Sequence, residues 1–228
     1  MLDIVRRTHI QVFMSLEIKT FPVYPLGCNC SILFSKEEKK AVVIDPGGDE
    51  DKIQKILSDE GLSLERIIHT HAHFDHCMGT SKLASMHSHS KVCMHRDDLG
   101  LYKNLPMQCS FFGIHFPAQN ITEISHFLEH DEEFLLGKEK IRVIHTPGHT
   151  PGSVCFHLEF SGKSLLFSGD TLFAGSIGRT DLWGGDYGKI IDSIKERLFT
   201  LEDETLVIPG HGEETRIFEE RKFNPFFN

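Results

Sequence analysis

Residues 70 to 76 read Thr-His-Ala-His-Phe-Asp-His, and four of those side chains, His71, His73, Asp75 and His76, are metal ligands by type. His71 and His73 stand two apart, so an extended backbone leaving a strand sends both imidazoles the same way. One tetrahedral ion rarely takes three imidazoles and a carboxylate from a single segment, so the run points to two metals. Three further residues share a telling context, a Gly-rich turn after a strand: His149 in Thr-Pro-Gly-His-Thr-Pro-Gly, Asp170 in Phe-Ser-Gly-Asp-Thr, and His211 in Pro-Gly-His-Gly. Glycine lets the chain bend sharply and approach an ion closely. In one arrangement His71, His73 and His149 hold a first metal, Asp75, His76 and His211 a second, and Asp170 bridges them. Asp75, Asp170 and a shared hydroxide would offset most of the charge of two divalent ions.

These residues need strands to carry them. The apolar run from Leu64 to Ile68 reads as the buried strand that delivers the His-rich loop. Before it, residues 21–34 and 40–45 read as strand-rich, and Ile53, Ile56 and Leu57 define a helix stopped at Gly61. A helix after His76, strands at 91–95, 140–145, 153–159 and 164–168, a helix at 188–199 and the strand Leu206-Val-Ile complete the alternation. Residues 97–137 are rich in aromatic side chains and read as a lid or substrate-side loop with one short helix. Strand and helix alternate throughout, which predicts one α/β domain over residues 14–228, with residues 1–13 as an N-terminal extension or tail. Periodicity does not choose between two stacked mixed sheets and one doubly wound sheet.

Composition narrows the function. The chain has 228 residues, 39% of them hydrophobic, with 24 basic against 33 acidic residues and a net charge of −9. That balance excludes an electrostatic nucleic-acid footprint. No apolar run reaches the length of a membrane span, and no signal-peptide core follows Arg6 and Arg7. Six scattered cysteines lack the density of a disulfide scaffold, so a reducing cytoplasm is the expected setting. Cys28-Asn-Cys30 invites a zinc reading but has no second pair at matching spacing, and two buried strand cysteines are the alternative.

The order His71-Ala-His73-Phe-Asp75-His76, then His149, Asp170 and His211, resembles the metallo-β-lactamase superfamily, over residues 20 to 225. Within it, Ser168-Gly-Asp-Thr-Leu-Phe, Gly178-Arg-Thr-Asp and Pro209-Gly-His-Gly resemble glyoxalase II (hydroxyacylglutathione hydrolase), most closely its short bacterial relatives. The resemblance implies a four-layer αββα sandwich of two mixed sheets flanked by helices. It implies two divalent metal ions, zinc with Fe²⁺ or Mn²⁺ as alternatives, and hydrolysis of a small-molecule thioester, with glutathione thioesters the type substrate. A hydroxide shared by the metals would attack the thioester carbonyl, with Asp75 as the catalytic residue that orients it. A basic residue nine positions after the bridging aspartate contacts the glutathione carboxylate in that family; here it is Arg179, and pairing with Asp181 or Asp186 is the alternative.

Two departures stand out. Asp181 replaces a tyrosine and would repel a carboxylate, and the helical domain that carries further basic contacts is missing after His211. Arg221 and Lys222 read either as partial substitutes or as a solvated pair. A mononuclear iron persulfide dioxygenase, using His71, His149 and Asp170, is a rival reading, and a non-catalytic metal-binding module is another. Of the remaining histidines, His69, His145, His157, His87, His89 and His95 read as structural or surface residues. His115, Phe111, Phe112 and Phe116 read as core or lid hinge, with a substrate mouth as the alternative; Tyr102 belongs to the same loop, and Cys77 reads as packing.

Overall fold

A computed structural model describes residues 9–12, 16–160 and 162–228. A seven-stranded sheet runs in the order β1 to β7: β1 (His9–Val12), β2 (Glu17–Val23), β3 (Cys28–Ser35), β4 (Lys40–Ile44), β5 (Ser63–Ile68), β6 (Lys91–His95) and β7 (His126–Leu128). Its first four strands pair antiparallel, and β4 to β7 pair parallel. Part of the segment expected to be a tail, His9–Val12, forms this edge strand against β2; the rest of residues 1–13 lies outside the described residues.

The second sheet holds β8 (Glu133–Leu136), β9 (Glu139–His145), β10 (Val154–Phe160), β11 (Lys163–Gly169), β14 (Leu206–Pro209) and β15 (Thr215–Arg216). A short ribbon, β12 (Leu172–Phe173) with β13 (Ser176–Ile177), branches off after β11. The helices are α1 (Glu50–Asp59), α2 (Phe74–Cys77), α3 (Thr80–Met86), α4 (Leu99–Lys103), α5 (Leu105–Phe111), α6 (Tyr187–Ser193) and α7 (Ile217–Phe223).

Strand alternation explains why these elements stack in four layers. In β4, Ala41 and Val43 point to one face while Val42 and Ile44 point to the other. The first pair meets Ile53 and Leu57 of α1 and Leu83 of α3. The second pair meets Phe156, Leu158 and Phe167 of the opposite sheet. Cys155, Leu166 and Val207 face outward from the second sheet and bury Ile190 of α6 and Ile217 of α7. Three apolar cores thus separate helix, sheet, sheet and helix, the αββα sandwich of two mixed sheets. Side chains buried on both faces of a sheet read as continuous apolar runs, which is why periodicity left the layering open.

Two regions differ from expectation. Residues 97–137 hold two helices, two 3₁₀ turns and strands β7 and β8, not a lid with one short helix. Tyr102, Leu105 and Cys109 are buried there, so the segment is anchored into the outer core. The helix expected over 188–199 is interrupted: α6 passes into a π turn at Ile194–Leu198, which keeps Ile190, Ile194 and Leu198 on the sheet. No helix among the described residues is long and apolar enough to cross a membrane.

Candidate metal centre

Four loops meet at one end of the sandwich, each leaving the C-terminal end of a strand. The loop after β5 brings His71, His73, Asp75 and His76; those after β9, β11 and β14 bring His149, Asp170 and His211. The first sheet therefore supplies four of the residues and the second sheet three.

In the first cluster, His71 Nε2 lies 3.0 Å and His149 Nε2 2.9 Å from His73 Nδ1, with all three rings buried. Outer hydrogen bonds set the tautomers. Thr70 Oγ1 donates to Asp45 Oδ2 at 2.6 Å, so it accepts from His71 Nδ1 at 3.1 Å. His149 Nδ1 donates to the carbonyl of Arg179 at 2.8 Å. Both bonds leave Nε2 lone pairs directed at the centre, the usual way a ligating imidazole is oriented. Burial, reinforced by the neighbouring imidazoles, pushes His71 well below the ordinary histidine range, and burial takes His73 down to about 3. These rings are held neutral, as metal ligands must be.

The second cluster has a different composition. Asp75 Oδ2 lies 3.1 Å from His211 Nε2 and 3.7 Å from His76 Nε2. Asp170 stands between the clusters: Oδ1 is 3.5 Å from His76 Nε2, and Oδ2 is 3.6 Å from His149 Nε2 and 3.9 Å from His211 Nε2. Burial alone would raise Asp75, but the His76 charge and the hydrogen bond from His211 outweigh it and hold the carboxyl below the usual carboxylate range.

The chemistry of the set fits divalent cations. His76 Nε2 and Asp170 Oδ1 are buried without a hydrogen-bond partner, an arrangement that costs free energy unless a cation sits between them. The three donor groups His71/His73/His149, Asp75/His76/His211 and His71/His76/Asp170 each place their ligand atoms within 4.8 Å of one another. Close backbone approach is required here too. A Cβ at Gly210 would fall on Asp170 Oδ1 and against His76 Cε1, so no larger residue leaves room for an ion.

Sequence reasoning missed the residues that hold this geometry. Asp45, at the end of β4, accepts from His76 Nδ1 at 3.0 Å and from the Thr70 main chain at 2.8 Å. Asp98, fully buried, accepts from Ala72 N, Thr150 Oγ1 and Gly152 N at 2.9, 2.8 and 2.7 Å, tying the His73 loop to the His149 loop. Gln108 bonds the main chain on both sides of His73, accepting from Phe74 N at 3.1 Å and donating to Ala72 O at 3.0 Å. Only Asp45, before Pro-Gly-Gly, carried a local signal, as a strand end.

Other residues fall elsewhere. Cys28 and Cys30 are buried in β3, and burial pushes the Cys28 thiol up to about 12. Its Sγ sits 3.3 Å from His76 Nδ1, on the side of the ring away from Asp170. His69 bonds Thr80 Oγ1 at 3.1 Å and Cys77 at 3.5 Å and faces away from the centre. His95 stacks on His145 at 4.0 Å, linking the ends of β6 and β9. The Arg179 side chain makes a two-pronged pair with Asp181 at 2.9 and 2.8 Å, while its carbonyl serves His149. Arg221 pairs with Asp203, and Lys222 lies over Phe218 and Phe223, so both are engaged around α7. Phe111, Phe112 and His115 are exposed and only Phe116 is buried, which corrects the core reading for the first three. Phe112 packs on Phe74 at 4.7 Å, next to the ligands.

This fold and ligand set define a family, and residues 23–211 match the model of the metallo-beta-lactamase superfamily. The chain belongs to that superfamily. It is 35% identical to hydroxyacylglutathione hydrolase GloC of Haemophilus influenzae over 215 residues, 93% of this chain and 99% of that one. Among solved structures it is similar to the BLEG-1 B3 metallo-beta-lactamase, with TM-score 0.80 and 34% identity over 92% of this chain and 99% of that one. It is also similar to TTHA1623 in a di-iron-bound form, with TM-score 0.79 and 35% identity over 90% and 98% of the two chains.

Proposed function

We infer that this metallo-hydrolase cleaves thioesters, as a hydroxyacylglutathione hydrolase does, with two divalent metal ions at the His/Asp centre. The observation that carries this reading is the position of Asp170, whose two oxygens face opposite clusters. His71, His73 and His149 would hold one ion, and Asp75, His76 and His211 the other. Zinc suits the set; iron and manganese take the same donors, and a similar structure holds two irons.

Ions held there would supply an acidified water and a positive charge beside the carbonyl oxygen. Asp75 does the remaining orienting work. It is ionised, and its Oδ2 lies between His76 and His211, so it would accept a hydrogen bond from the attacking water and fix its direction. His71, His73 and His149 are buried and exclude bulk water from one side. A thiolate leaves without protonation, so the absence of a dedicated acid from this constellation is consistent with a thioester. Free, buried cysteines support a reducing, cytosolic setting.

The test loads the protein with zinc, iron or manganese, counts bound metal, and measures hydrolysis of S-lactoylglutathione and of an N-acetylcysteamine thioester. Two ions per chain with thioester cleavage is the expected result. One iron per chain with oxygen uptake on a persulfide, and no thioester cleavage, would replace this reading by a dioxygenase. A β-lactam substrate serves as the specificity control.

A further inference from the structure

A groove of about 300 Å³ runs beside the first metal cluster. Leu101, Met107, Pro151 and Trp183 give it apolar walls, and Asp97, Asn104 and Gln108 line the rest. Two of its lining residues adjoin the centre. Pro151 lies two residues beyond His149, and Gln108 bonds the main chain before and after His73.

The groove offers no cationic side chain to an anion. Among the described residues no Lys or Arg lines it, and Asp97 is the one charged residue of the lining. Gln108 is already committed: its Oε1 accepts from Phe74 N, and its Nε2 donates to Ala72 O and Leu101 O. Arg179, the base expected to hold a carboxylate, is neutralised by Asp181. A substrate carboxylate would have to displace that intramolecular pair in open solvent, where such exchanges gain little.

What the region does expose is apolar. Trp183, Met107, Phe112 and Phe111 are 47%, 55%, 53% and 78% exposed. Phe111 touches Trp183 at 6.4 Å and Phe112 at 5.6 Å, and Phe112 rests on Phe74. Trp183, Phe111 and Phe112 thus form a chain of ring contacts from the groove to Phe74, between His73 and Asp75, where scattered single residues would carry no meaning.

Resting on the thioesterase reading, we propose that this groove takes an uncharged, apolar arm of the thioester, a single aromatic ring or a short branched alkyl group, and not the carboxylates of a peptide thiol. Apolar walls with a few polar groups among them are the signature of such a site.

The chain has one tryptophan, Trp183, so its emission reports occupancy of the groove without turnover. The metal-loaded protein is titrated with two non-cleavable thioethers of N-acetylcysteamine, S-benzyl and S-carboxymethyl, by calorimetry and by fluorescence. The benzyl compound should bind about tenfold more tightly and shift the Trp183 emission. Met107→Ala, at an exposed position, should weaken benzyl binding about fivefold and leave carboxymethyl binding unchanged. Equal affinities, tighter binding of the carboxymethyl compound, or benzyl binding with unchanged emission each overturn the proposal. Because thioethers are not cleaved, failure of the thioesterase reading would appear separately, as benzyl selectivity in a protein that hydrolyses no thioester.

Discussion

The two halves of the centre are built to different standards. His71, His73 and His149 are imidazoles, nearly inaccessible, and two of them have their outer nitrogens fixed by Thr70 and by the Arg179 carbonyl. The other half mixes a carboxylate with two imidazoles, and the His211 side chain remains 30% exposed. His76 has a carboxylate behind it, Asp45. The difference teaches that one half is a buried socket, while the other carries a carboxylate and faces the solvent. Ligand identity alone does not reveal that asymmetry; the groups behind the ligands do.

The most drastic way to break the comparison is to remove what the halves share. Asp170→Ala should lose both ions and bring hydrolysis below detection, and metal analysis showing two ions retained would refute its bridging place. Next in size are single-half lesions. His211→Ala should lower bound metal from two ions to one, whereas His149→Ala should also disturb the second ion because Asp170 Oδ2 faces both rings; equal stoichiometry in the two variants would erase the proposed asymmetry. Chelation should follow the same order: a competing chelator strips the solvent-facing half first, giving two phases in released metal, and a single phase would count against it.

Subtler changes act from behind the ligands. Asp98→Asn should weaken the first half and Asp45→Asn the second, each by about 10–100-fold in metal affinity, read by competition titration. The smallest effect concerns the frame. Burial takes His157, which bonds Ser164 Oγ at 2.8 Å, down to about 4. Its folded value lies below its unfolded one, so its contribution is complete above pH ~6.5 and is lost as pH falls towards 4. The stability of His157→Gln should vary less with pH across that window; an unchanged slope would assign the acid sensitivity elsewhere.

Part of the centre was legible because three of the proposed ligands announce themselves twice, by side-chain type and by a glycine turn after an apolar strand. His149, Asp170 and His211 all have that double signal. Asp98 and Gln108 have none: they reach their partners across 26 to 54 and 7 to 36 positions of sequence, from a segment that reads as loop. The four layers were readable only through family resemblance, since strands buried on both faces lose the alternation that would show which side is core. Arg179 shows a further boundary. Its two possible partners differ by a rotation of one side chain, and the choice of Asp181 is a matter of three-dimensional proximity.

The proposed ligands come from both sheets, whose facing sides pack through a middle core that includes Ile44, Ile68, Phe156 and Phe167. A bound ion therefore acts as a rivet across that seam, stabilising the assembled sandwich by roughly 2.7 kcal/mol for each site when free metal stands at a hundred times its dissociation constant. The coupling runs both ways. A cavity opened deep between the sheets, far from any ligand, would register first as a protein that no longer keeps its metal.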